Sequence, residues 1–329
     1  MEDVSKNIEN ASLWHAKILL FGEYSVILGS MALTVPFGHF TAGFGFLNMT
    51  RYTDHNKAVR SNGLLREYLD WLSDSGGGFS GVIDTGAFSR DLERGLFLES
   101  NIPQGYGIGS SGAVVAAVYD RYATNRIDNA PDASADSLRE LKSIFGAMES
   151  FFHGTSSGLD PLNCYIGRPV LVGPGDKLEI TGIPGTESGE GASVFLVDTA
   201  TTGMTGPLVR QFMERYKEGA FRDSVDGVMI PAVNESISSL LEPDIERFWQ
   251  SLRNLSGFQL KNMKEMIPSG FELVWERGLV TGDYFMKLCG SGGGGYLLGF
   301  TANLRETAAI LRRLNLRVIP VYMNPERYG

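Results

Sequence analysis

Apolar positions run almost unbroken through "LWHAKILLF" (residues 13–21), where only His15 and Lys17 interrupt. A run of that length ending at Gly-Glu predicts a buried strand. A second strand is expected near Ala32 in "MALTVPF", and "NGLLREYLDWL" (62–72) has helical spacing before the loop "SDSGGGFSG". The short strand "GLFLE" leads to Pro103 and to "GYGIGSSG" (105–112), after which residues 113–123 read as a helix with Ser110 and Ser111 as capping types. Residues 134–152 place Leu138, Leu141, Phe145, Met148 and Phe152 on one helix face, with Glu149 at its border. The loop "HGTSSGLDP" and the apolar stretch "LNCYIGRPVLVG" follow. "DKLEITGIPGTESGEGA", rich in Gly, Ser and Glu, marks the expected domain junction. Beyond it come strand "SVFLVDT", a helix from about Pro207, helices through 232–280, strand "YFMKLCG", loop "SGGGG", strand "YLLGF", helix "LRETAAILRRL" and strand "RVIPVYM". That order predicts an antiparallel sheet with helices on one face.

Composition narrows the partners. The chain has 329 residues, 29 basic against 38 acidic, and a formal net charge of −9, without a Lys/Arg run that could track a phosphate backbone. Nucleic acid is therefore not an expected partner. Cys164 and Cys289 are too far apart in sequence to read as a disulfide framework or a metal cluster, and they suit a reducing compartment as buried packing residues. The polar N-terminus "MEDVSKNIEN" does not read as a secretory signal, no apolar run approaches the roughly 20 residues of a membrane span, and "ERYG" is not a peroxisomal tail. The expectation is a cytoplasmic protein, with a peroxisome-like organelle as the alternative.

Gly107, Gly109 and Gly112 fit the dinucleotide spacing G-x-G-x-x-G, but the context does not. Pro103 and Gln104 separate the strand from the glycines, and the polar "TNRIDNAPDASAD" follows the helix where a second strand ending in an acidic residue would be needed. A Walker loop fails because the sequence has no Gly-Lys pair, and the H-R-D and D-F-G elements of protein kinases are missing. What survives is generic: glycines that let backbone N–H groups approach an anion at a helix N-terminus, or a tight turn that binds nothing.

Two more stretches favour the anion. Lys17 is the only charge placed within its strand besides the neutral His15, so it either pairs with a nearby carboxylate or snorkels to the strand edge. "MESFFHGTSSGLDP" (148–161) carries Glu149 and Asp160, the latter closing a turn of small residues. Together the stretches resemble the three signatures of the GHMP kinases. "HAKILLFGEYSVILG" is similar to P-G-K-x-x-L-x-G-E-[HY]-x-V-V-x-G, "PQGYGIGSSGA" to P-x-x-x-G-L-G-S-S-A-A, and "KLCGSGGGG" (287–295) to K-x-[ST]-G-x-G-G-G-G. Within that family, "AMESFFHGTSSGLD" looks like the G-E-R-x-I-H-G-x-P-S-G-[VI]-D of the mevalonate kinases, with Glu149, His153, Gly154, Ser157, Gly158 and Asp160 in register.

The resemblance implies an α+β GHMP kinase fold: a ribosomal-protein-S5-domain-2-like N-terminal domain over 1–184 that binds ATP, and a ferredoxin-like C-terminal domain over 185–329. It implies ATP as co-substrate, with the backbone of Gly105, Tyr106, Gly107, Ile108, Gly109, Ser110 and Ser111 around its phosphates and Ser100 beside the nucleotide. Ser111 and Glu149 match ligands of Mg2+, a hard ion suited to oxygen donors. Asp160 matches the base that takes the proton of the substrate hydroxyl, and Lys17 the cation beside it that steadies the transferring phosphoryl group. Glu23, Tyr24 and Thr205 are the candidate substrate residues, and mevalonate the expected acceptor. Two departures bear on it. Tyr24 stands where mevalonate kinases usually have His, a feature shared with phosphomevalonate kinases. The family's T-K-x-P-R-x-T stretch is "TATTGMT" (199–205), without its cations, which argues against an acceptor already carrying a phosphate. Phosphomevalonate kinase, another small-molecule GHMP kinase and a non-catalytic ligand sensor of this fold remain the alternatives, and a homodimer is left open.

Overall fold

A computed structural model describes residues 12–47, 54–74, 79, 81–183, 192–203 and 205–321. The chain forms two compact units. The first takes in Met1–Lys17, Gly38–Ile102 and Gly109–Gly167, and the second Ile18–Phe37, Pro103–Ile108 and Arg168–Gly329. Strands β1 (Leu13–Phe21) and β2 (Ala32–Phe46) each contribute to both. The residues expected to form the domain junction lie partly outside the described residues, since 184–191 are not among them.

In the first unit, the far half of β2 pairs antiparallel with β3 (Leu96–Ser100) in the register Ala42↔Ser100 to Phe46↔Leu96. Helix α1 (His55–Asp74) buries Ala58, Leu65, Tyr68 and Leu72, which fall on one helical face, and α2 (Thr85–Glu93) buries Phe88 and Leu92. Helix α3 (Ser110–Tyr122) is buried on most of its circumference, which its Gly112, Ala113, Ala116 and Ala117 make sterically feasible. Helix α4 (Ala135–His153) starts at Ser134, whose hydroxyl accepts from Ser137 N at 3.1 Å, and ends at Gly154. Helix α5 (Leu159–Ile166) is short and almost wholly buried. Tyr119, Phe145 and Tyr165, one from each of these last three helices, meet edge to face at 5.0–5.5 Å and fix them together.

The start of α3 differs from the sequence expectation. Ser110 and Ser111 are inside the helix rather than capping it. The cap is Gly109 in the left-handed region (φ 82°), without a side-chain capping bond. Asp160, expected to close a turn, is the second residue of α5.

In the second unit, β2 pairs with β4 (Val170–Gly173), and β4 with β5 (Lys177–Ile180), both antiparallel. A separate sheet contains β6 (Ser193–Asp198), β7 (Phe285–Leu288), β8 (Tyr296–Thr301) and β9 (Val318–Val321) in the order β7-β8-β6-β9, all antiparallel as the sequence predicts. The helical part comprises α6 (Thr205–Tyr216), α7 (Gly219–Ser224), a π-helical turn (Val225–Met229), α8 (Ile230–Leu241), α9 (Ile245–Asn262), α10 (Glu272–Thr281) and α11 (Leu304–Arg313). In its core Phe21 stacks on Phe300 while Phe248 meets both edge to face, and the Trp275 indole donates to Ser256 Oγ at 2.9 Å. No helix among the described residues is long and apolar enough to cross a membrane.

Candidate active site

In the first unit, Lys17 projects from a strand whose neighbours are apolar, so its ammonium needs a partner. Asp160 supplies it: Lys17 Nζ lies 2.7 Å from Asp160 Oδ1. The pair is asymmetric, because the lysine side chain is 3% exposed and the aspartate 38%. The cation is sealed while the carboxylate still faces outward.

Ser111, in the first turn of α3, donates to Glu149 Oε1 at 2.7 Å, and Ser156 donates to Glu149 Oε2 at 2.5 Å. His153 Nε2 is 3.0 Å from Ser111 Oγ. Glu149 was read at the border of an apolar stripe, and it is in fact 3% exposed. Burial, then the nearby Asp160 charge, push its carboxyl up to about 7, against the hydrogen bonds from Ser156 and Ser111 and the charge of Lys17. Lys17, Ser111, Glu149 and Asp160 thus form one cluster on β1, α3, α4 and α5. Ser100, at the end of β3, accepts from Ile102 N at 3.1 Å.

Within the cluster, Ser111 and Glu149 could hold a hard cation through oxygen. A hydroxyl and a carboxylate oxygen sit 2.7 Å apart, and among the described residues no group of three His, Cys, Asp or Glu could hold a metal alone. Two hard oxygens completed by phosphate and water are what Mg2+ ordinarily takes from a protein.

The second unit holds the remaining candidates. Gly105 and Gly107, both at positive φ, are interlocked with two other loops: Gly203 N donates to Gly105 O at 3.0 Å, and an added Cβ on Gly107 would stand 3.1 Å from Cys289 O. The Tyr106 ring meets Tyr296 at 4.9 Å, its hydroxyl bonds Asp198, and Ile108 is buried. The fifth position of "TATTGMT", where the GHMP pattern has arginine, is Gly203. A Cβ there would lie 2.7 Å from Gly292 O, so close loop packing excludes any side chain. Thr205 is the first residue of α6.

Glu23 is 3% exposed and forms a wholly buried ion pair with Lys287, which also donates to Leu288 O at 2.7 Å. Tyr24 is at φ 65°, packs on Phe212 at 4.7 Å and donates its hydroxyl to Ser291 O at 2.5 Å. Burial, then Glu23, raise its phenol well above the usual tyrosine range. The sequence by itself assigns Lys287 no role. Its signal was there: a lone charge in "YFMKLCG", the same argument that singled out Lys17. His153 and Ser156 were likewise in view and unassigned. Cys164 and Cys289 are buried thiols outside any disulfide, as expected.

With this geometry in place, comparison with known proteins gives a consistent answer. Residues 79–168 match the family described as GHMP kinases N terminal domain. A mevalonate kinase of Pyrococcus abyssi is 24% identical over 325 residues, covering 90% of each chain. The crystal structure of L. major mevalonate kinase in complex with R-mevalonate superposes with a TM-score of 0.61 at 16% identity, covering 97% of this chain and 98% of that one. Streptococcus pneumoniae phosphomevalonate kinase in complex with phosphomevalonate and AMPPNP gives 0.60 at 14%, covering 95% and 100%. At such identities the superpositions establish the fold. Over residues 79–168 the chain is thus similar to the GHMP kinases N terminal domain, and its α+β fold is shared with the solved mevalonate and phosphomevalonate kinases.

Proposed function

We propose that the protein is a mevalonate kinase, transferring the γ-phosphoryl group of ATP to the 5-hydroxyl of mevalonate to give 5-phosphomevalonate and ADP for isoprenoid and sterol precursor synthesis. The observation that carries this is the asymmetric Lys17–Asp160 pair, a carboxylate half open to an incoming hydroxyl with its cation sealed behind it. The relatives that cover nine-tenths of the chain under the name mevalonate kinase support the choice of acceptor.

In this reading Asp160 accepts the hydroxyl proton as the substrate oxygen forms its bond to phosphorus and the bond to the ADP oxygen breaks. Lys17 fixes the carboxylate and offsets the negative charge of the moving phosphoryl group. Backbone N–H groups of residues 105–111 and the start of α3 receive the phosphates, with Ser100 beside the nucleotide. Ser111 and Glu149 would hold Mg2+, which when bound neutralises phosphate charge. Residues 1–184 carry the nucleotide and residues 185–329 form the second domain. Glu23, sealed in its pair with Lys287, holds that cation, while Tyr24 and Thr205 stay as acceptor candidates. The missing cations at 200 and 203 count against phosphomevalonate.

The test is a coupled assay of ADP release with mevalonate, phosphomevalonate, galactose and homoserine. Mevalonate alone should be turned over. Preference for phosphomevalonate would replace the acceptor, and ATP binding without turnover of any of the four would make the chain a ligand sensor. Asp160→Asn should lower kcat roughly 100- to 10,000-fold with KM for ATP near wild type, and wild-type turnover in that variant would remove Asp160 from the role of base.

A further inference from the structure

Two helical glycines, Gly112 in the first turn of α3 and Gly146 inside α4, abut the backbone that leads into Asp160. Gly112 in α3 faces the first turn of α5: a Cβ at that position would stand 2.9 Å from Pro161 N and 3.0 Å from Asp160 C. Gly146 in α4 faces the turn just before α5, and its Cβ would stand 3.0 Å from Ser156 O and 3.3 Å from Gly158 N. The atoms met are backbone in every case, so a side chain at either position cannot be accommodated by a rotamer change. Neither glycine is there for its backbone freedom, since neither has positive φ. In a helix interior alanine is the better residue by about 1 kcal/mol. A third helical glycine, Gly63 in α1, has nothing within 4 Å of its would-be Cβ.

The Lys17 side of the pair is seated similarly. A Cβ on Gly109 would lie 2.8 Å from Lys17 Cγ and 3.5 Å from Cys164 Sγ. The lysine stem, the first turn of α5 and the turn that feeds it therefore all rest directly on helix or loop backbone.

We infer that Gly112 and Gly146 are positioning residues that clamp the N-terminus of α5 from two sides and thereby set the place of Asp160 against Lys17. The inference rests on the reading of Asp160 as the base. Its geometric core, the seating of the Lys17–Asp160 pair, can be judged without it. The sequence carries a hint, because the GHMP phosphate motif ordinarily has alanine where this chain has Gly112. α3 and α5 accordingly approach more closely here than that alanine would allow. A glycine-rich stretch whose obvious role is to receive phosphate has a second one, as the bed of the catalytic pair.

The experiment compares Gly112→Ala, Gly146→Ala and the control Gly63→Ala in the full-length protein. Steady-state kinetics with ATP and mevalonate, thermal unfolding, and reductive methylation of lysines read by mass spectrometry are measured on each. Expected for Gly112→Ala and Gly146→Ala is a fall in kcat of about 10- to 100-fold, the scale of a displacement approaching 1 Å, with KM for ATP within about twofold of wild type. Lys17, protected from methylation in the wild type, should become modified in both, and Gly63→Ala should match the wild type throughout. Wild-type kcat and a protected Lys17 in folded Gly112→Ala and Gly146→Ala would overturn the clamp. Should Gly112→Ala not fold, Gly146→Ala decides alone. If the wild type turns over no acceptor, the functional reading fails, and the methylation pattern still decides whether the glycines seat the pair.

Discussion

Lys17 and Lys287 each stand as a lone ammonium in an apolar strand, and their partners differ in one respect that separates their roles. Asp160 keeps 38% of its side-chain surface, whereas Glu23 keeps 2%. An open carboxylate can exchange a proton with a ligand, and a sealed one only holds its cation. His15 shares the strand face of Lys17, two residues earlier, and its Nδ1 is buried without a hydrogen-bond partner. Burial holds this imidazole below its ordinary 6.5. Below that pH the unfolded chain therefore binds the proton more readily than the folded one, so stability from this group is complete above 6.5 and declines as the pH falls beneath it. Urea unfolding at pH 7.5 and 5.5 should show a larger acid-side loss for the wild type than for His15→Gln. Equal losses would mean that the imidazole is not protected from protonation.

At the scale of elements, the buried Glu23–Lys287 pair ties β7 to the turn that follows β1. Removing one partner leaves an uncompensated charge, so Lys287→Met should cost about 3–5 kcal/mol in denaturant unfolding, and the double variant Glu23→Met/Lys287→Met should recover most of it. A small loss in the single variant would show that water reaches the pair. Long periodic or uniformly apolar elements such as α4, β1 and β8 were legible in the sequence, because burial imposes its period on them. Helix α5 was not. It has eight residues, seven of them buried, and a short run without a polar face shows no helical period. The start of α3 was misread for a related reason: serines are good caps in general, but Ser111 is engaged with Glu149 and Gly109 makes the turn. In the site, residue types and their order were legible while contacts were not. The Lys17 partner could be demanded from the strand, but the Ser111–His153 contact and the glycine bed depend on how closely helices approach, which no spacing along the chain records.

For the molecule as a whole, the proposed function links folding to binding of ATP with Mg2+. At 100 times the dissociation constant a ligand adds about 2.7 kcal/mol, which in a chain of this size is a rise of several degrees in Tm at roughly 2–4 °C per kcal/mol. Wild type should show that rise with ATP and Mg2+, and Glu149→Gln should lose the part that depends on the metal. A full metal-dependent shift in the variant would take Glu149 out of the ligand set. This readout needs no turnover, so it separates holding the nucleotide from using it.

The interlocked glycines of the second unit also bear on how the protein is made. Gly105 and Tyr106 are held by Gly203 and Gly295, which leave the ribosome much later. At 5–20 residues per second the wait for the last of these partners is roughly 10–40 s, during which residues 105 and 106 lack the Gly295 loop. The packing of residues 105–106 is therefore completed only once the chain has been made through residue 295.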